Sequence, residues 1–161
     1  MKRTIAVLIV LAIAGSSAGA APKQQVNAIR PGLFELGLYL GEPTGLSAKY
    51  WINRQNAIEG IAAWAFSKGF LVVSADYLLN FPDIVKIEGE TFPLYVGVGA
   101  IMSVVMGTGG GISVGARFPL GALYVFRGVP LEISLEIVPG LYFFPDTQFL
   151  AMGGIGIRYC F

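Results

Sequence analysis

Eight stretches of this chain alternate side chain by side chain, and every charge within them falls on the same side of the alternation. The runs are 33–40, 45–52, 57–66, 70–81, 92–102, 112–126, 131–143 and 150–161. In the first, Phe34, Leu36, Leu38 and Leu40 alternate with Glu35, Gly37 and Tyr39. A period of two is that of a β-strand whose faces meet different surroundings. Across the runs the charges are Glu35, Lys49, Glu59, Asp76, Arg117, Glu132, Glu136 and Arg158, and the opposite face of each run carries none. Eight strands with one uncharged apolar face would precipitate if that face met water. A face turned to lipid must be free of charge, because Lys or Arg at mid-bilayer costs about 2–4 kcal/mol. The pattern therefore predicts an all-β fold: an eight-stranded antiparallel up-and-down transmembrane β-barrel, apolar outside and polar inside.

The charged face is also the small face, holding Gly37, Gly45, Gly97, Gly99, Gly115, Gly121, Gly140, Gly154 and Gly156. An eight-stranded barrel is only wide enough inside for side chains to fill, so small residues make room for a few long charged ones. Five acids and three bases share that space, and buried charge is tolerated only when paired and hydrogen-bonded. A plugged interior is expected, not an open channel. Glu132 and Glu136 lie four apart on one face and need a counter-charge, for which the planar fork of an arginine is best suited.

Residues 1–20 read as a cleaved signal peptide: Lys2 and Arg3, an apolar stretch over 5–14, then Ala18-Gly19-Ala20. A short polar lead, 21–31, precedes the barrel proper, 32–161. The apolar stretch is too short for a spanning helix, which needs ~20 residues. Without Lys2 and Arg3 there remain nine basic and ten acidic groups, a net charge of −1. No basic excess points to nucleic acid. Cys160 is the single cysteine, so no internal disulfide forms, and its expected role is a small filler of the lumen. Histidine is absent, which removes Ser/His and Cys/His pairs and histidine metal sites.

Turn residues separate the runs, as in Gly41-Glu42-Pro43-Thr44 and Asn53-Arg54-Gln55-Asn56. The segment 82–91 reads as the most polar loop. Gly107 to Gly111 lacks the Lys-Ser/Thr of a phosphate-cradling loop and reads as a hairpin. The uncharged stretch 94–116 is long enough for a membrane helix, but its glycine-rich centre favours two strands and a turn. Aromatic residues fall into two girdles. Phe34, Tyr50, Phe81, Tyr124, Phe126, Tyr159 and Phe161 form one; Trp64, Phe66 and Phe143 form the other.

The C-terminal run ends on Phe161, with Tyr159 two residues earlier and Gly156 three before that. This resembles the C-terminal signal of bacterial outer-membrane barrels, with a departure at Gly154, where a polar residue is usual. The mature chain as a whole resembles the small eight-stranded group, the OmpA transmembrane domain and OmpX-like proteins. The resemblance implies recognition by the barrel-assembly machinery, insertion as a monomer into the outer membrane, and both chain ends on the periplasmic side. It implies a non-enzymatic integral membrane protein with a structural or surface-interaction role, whose partners are outer-membrane lipids and that machinery. Alternatives are a narrow pore and, more remotely, a barrel enzyme acting on lipids or peptides. No catalytic, cofactor or metal residues emerge, and the loops carry no ligand motif.

Overall fold

The computed structural model describes residues 29–42, 44–65, 69–87, 90–107, 109–126 and 128–161. The expected signal peptide and residues 21–28 of the lead lie outside them. Nine strands follow in order: β1 Phe34–Glu42, β2 Gly45–Trp51, β3 Asn56–Ala65, β4 Phe70–Ile87, β5 Glu90–Val105, β6 Gly111–Arg117, β7 Leu120–Val125, β8 Leu131–Phe144 and β9 Gln148–Cys160. Each pairs antiparallel with its neighbours, and β1 pairs with β9, so the sheet closes on itself.

The ring has eight staves, because β6 and β7 are one stave broken at Phe118-Pro119. Both pair with β5 on one side and β8 on the other. Pro119 has no N–H to give the ladder. The ladder still holds around it, with Phe118 N donating to Pro139 O at 2.9 Å and Gly97 N to Pro119 O at 2.7 Å. Register is continuous across the break: Arg117 faces Gly140 and Leu120 faces Ile137.

The segment 82–91, expected as a loop, is instead most of a two-stranded ribbon. β4 loses β3 after Leu79, and β5 pairs with β7 only from Leu94 onward. Beyond those points β4 and β5 continue to pair with each other as far as Ile87 and Glu90, with a register shift between Phe81 and Val85. At ~3.4 Å per residue the ribbon stands roughly 20 Å past the rim. Pro82 sits inside the shift, where a missing N–H costs the ladder nothing; Val85 and Phe92 then resume pairing.

Short turns have local causes. Asn53 Oδ1 accepts from the N–H groups of Gln55 and Asn56, both at 2.8 Å, an Asx turn. Gly69, Gly107 and Gly109 adopt positive φ in the β3–β4 and β5–β6 connections.

Alternation sorts the side chains as the barrel requires. Leu36, Leu38, Ile58, Val98, Leu135, Ile137 and Ile157 point outward, and the charged face points in. Run 57–66 is the least clean because Gly60 and Ala62 face outward while the bulkier Ile61 is buried. Gly60 belongs to a row of small outward residues crossing five staves in register, Ala48, Gly60, Ala75, Ala100 and Ala116.

The interior is layered. Toward the rim where β9 ends, Leu33, Trp51, Ala57, Leu78, Tyr95, Leu123 and Cys160 form an apolar cluster, with Ile29 and Val125 against it. Toward the opposite rim Ala63, Val72 and Ile101 pack with Phe70, Tyr142, Leu150 and Met152. The charged residues lie between these two caps.

Candidate functional site: the charged interior

Neighbouring staves bring the charges together by register alone. Glu35 faces Lys49, Lys49 faces Glu59, and Glu59 faces Asp76, on four successive strands. Glu132 faces Arg158 across β8 and β9. All eight charged side chains are at most 3% exposed, so their electrostatics play out away from water.

Two arginines organise the layer. Arg158 donates through Nη1 to Glu132 Oε1 at 2.7 Å and Ser134 Oγ at 2.9 Å, through Nε to Ser47 Oγ at 2.8 Å, and through Nη2 to Glu59 Oε1. Lys49 Nζ donates to the same Glu132 oxygen at 2.7 Å and lies 4.0 Å from Glu59 Oε2. Ser47 Oγ donates to Glu59 Oε1 at 2.9 Å. The second hub is Arg117, with Nε 3.1 Å from Asp76 Oδ1, Nη2 3.7 Å from Glu136 Oε1, and Nη1 donating to Ser74 Oγ at 2.8 Å.

Glu132 and Glu136 do not share one arginine. Successive same-face positions on a strand are ~7 Å apart, so residues four apart are too distant for one guanidinium. Glu132 is held by Arg158 and Lys49, and Glu136 by Arg117 and by Tyr95, whose hydroxyl donates to Oε2 at 3.0 Å. Among the described residues Glu35 makes no ion pair. It accepts from Trp51 Nε1 at 2.8 Å, and the Cys160 thiol lies 3.9 Å away.

The serines and the two aromatic donors are members of the network that charge alone does not reveal. Their positions on the inward face are legible from alternation, but which carboxylate each one meets depends on the curvature that brings distant staves face to face. Lys49 Nζ also lies over the rings of Trp51 and Tyr95, at 5.5 and 5.4 Å, tying the charged layer to the apolar cap.

Of the three C-terminal positions, Tyr159 and Phe161 are outward and contact each other edge to face at 4.9 Å, with Phe34 6.0 Å from Phe161. Gly156 faces inward, where an added Cβ would lie 2.8 Å from Arg158 Nη1. Its lack of a side chain lets the guanidinium lie along the wall.

Among the described residues no group of three or more Cys, Asp or Glu is placed to hold a metal ion. A groove of about 260 Å³ at the rim opposite the C-terminus is lined, among the described residues, by Trp64, Gly69, Phe70, Leu71 and Met106.

No family model and no curated protein matches this chain in sequence. Among solved structures it is similar to the N-terminal β-barrel domain of Pseudomonas aeruginosa OprF, with a TM-score of 0.63 and 15% identity, covering 81% of this chain and 98% of that domain. The chain thus has the fold of the small eight-stranded outer-membrane barrels. At 15% identity the likeness concerns the fold alone.

Proposed function

We propose that this protein is an integral outer-membrane β-barrel with an occluded lumen and a structural or surface-interaction role. The observation that carries the reading is the inversion of polarity in a closed ring: Leu135 and Ile137 are 62% and 65% exposed outside while Arg117 and Arg158 are at most 1% exposed inside. A closed barrel satisfies every stave's hydrogen bonds within the protein, which a hydrocarbon surrounding demands. Exposed aliphatic side chains then gain by meeting lipid, and the two aromatic-rich rims suit the interfaces on either side.

The layered interior favours a plug over a pore. An ion crossing the lumen would have to displace the apolar cap around Trp51 and Leu78, then the paired charges, then the cap around Val72 and Ile101. The eight charged side chains of the lumen are all buried, in keeping with a non-enzymatic role. In this reading residues 1–20 direct export and are removed, and the monomer contacts outer-membrane lipids.

The test is fractionation followed by electrophoresis and conductance. The protein is expected in the outer-membrane fraction, released only by detergent, with different gel mobility before and after boiling. Equal mobility, or release by salt or alkali, would count against a membrane-spanning barrel. Sustained single-channel steps in planar bilayers would move the narrow-pore reading ahead of the plug.

A further inference from the structure

We propose that the register in which β1 closes on β9 is selected from inside the barrel by the charges that cross this seam, Arg158 foremost. Every other pair of neighbouring staves is joined by a short connection, and in hairpins the turn fixes the register. β1 and β9 are the first and last of the described strands and no turn joins them, so none sets their register.

The outer face discriminates weakly, since one slip exchanges the Phe34–Phe161 ring contact at 6.0 Å for a pairing of Phe34 with Tyr159. Its seam pairs are Leu36 with Tyr159, Leu38 with Ile157 and Leu40 with Ile155. A one-residue slip is forbidden because it turns every side chain to the wrong face. A two-residue slip keeps the faces and again sets leucine against isoleucine, as Leu36 with Ile157 and Leu38 with Ile155, or Leu40 with Ile157 in the other direction.

The inner face does discriminate. Glu132 and Ser134 move with Arg158, because β8 and β9 form a hairpin. Ser47 and Glu59 move with β1 through the β1–β2 and β2–β3 turns. The Arg158 bonds to Ser47 and Glu59, and the Lys49 bond to Glu132, therefore span the seam and are lost together on slipping. Shape acts in the same sense. Arg158 lies opposite Gly37, where a Cβ would come within 2.6 Å of the Arg158 Cα, and the Tyr39 ring occupies space that a Cβ on Gly154 would enter, at 2.8 Å. One slip would place Arg158 opposite Glu35, a local ion pair that competes with the native register. The native arrangement wins because it alone also gives the guanidinium Ser47 and keeps Lys49 on Glu132.

Disulfide trapping reads the register directly. A disulfide needs Cα atoms within ~6.8 Å, whereas diagonal cross-strand neighbours lie roughly 7–8 Å apart. In a Cys160→Ser background the full chain carries one pair: Leu38→Cys with Ile157→Cys for the native register, or Leu38→Cys with Ile155→Cys or Leu40→Cys with Ile157→Cys for the two slips. After folding into lipid vesicles and oxidation, only the native pair should link. Adding Arg158→Met should raise the slipped product about tenfold or more, a shift of ~1.4 kcal/mol in register preference. If Arg158→Met does not fold, Lys49→Met with Glu59→Gln decides, since it removes the charges that cross the seam and leaves Arg158 with Glu132. Slipped yields in the folded variants equal to those of the parent, or slipped product already abundant in the parent, would overturn the proposal.

Discussion

Replacing Arg158 by Ala should destabilise the barrel by about 3–5 kcal/mol, more than any single truncation on its outer surface. The side chain is fully buried and donates to two carboxylates and two serines, so its loss strands Glu59 and Glu132 with Lys49 as their one remaining cation. Stranding a buried carboxylate costs more than the pair itself contributes, because the charge keeps its desolvation penalty and loses its compensation. Arg117→Ala should cost less than Arg158→Ala. Its contact with Glu136 is 3.7 Å long and Glu136 keeps the Tyr95 hydroxyl, so the carboxylate chiefly stranded is Asp76, 3.1 Å from Arg117 Nε, where Arg158→Ala strands two. Leu135→Ala should cost least, since Leu135 is 62% exposed and lipid fills the space that a soluble core would leave as a cavity. Urea unfolding of the three variants in one lipid checks the order. If Arg158→Ala is no worse than Leu135→Ala, water already screens the interior, and the occluded reading gives way to a hydrated lumen.

The wall of this barrel is readable because a strand's side-chain period is 2, so one charged residue in a run is enough to indicate which face is inside; the uncharged run 92–102 shows it by Gly97 and Gly99 instead. That is why Glu35, Lys49 and Asp76 could be placed on one surface with no knowledge of their neighbours. What alternation leaves undetermined is longitudinal position. It assigns Glu59 to the lumen but not to Arg158, because that pairing depends on the register across the β1–β9 seam, where contacting residues such as Arg158 and Ser47 lie more than a hundred positions apart. Local composition also misleads where pairing is two-stranded. The segment 82–91 is polar and carries Pro82, so it reads as a loop, but a ribbon with no third strand on its β4 edge past Leu79 has no apolar face to advertise. Pro119 acts in the reverse sense: it lies inside an uninterrupted alternation and breaks a strand without moving its register.

Replacing both Tyr159 and Phe161 by Ala should sharply lower the amount of protein inserted in the outer membrane while export continues. The two rings are outward, contact each other, and with Phe34 form an aromatic patch where the closing strand ends. Nothing in the interior depends on them, for Arg158 and Cys160 point the other way. The double variant should accordingly keep nearly all its stability once folded in detergent, because only side chains that would face lipid have been shortened. Loss in the cell with retention in vitro is the signature of a recognition role, since a merely structural role would move both readouts together. Membrane levels and unheated gel mobility are measured on the same variant. Normal outer-membrane levels would remove these two residues from assembly. An equal loss of stability in detergent would assign them to packing of the seam, where Phe161 N donates to Phe34 O at 2.9 Å.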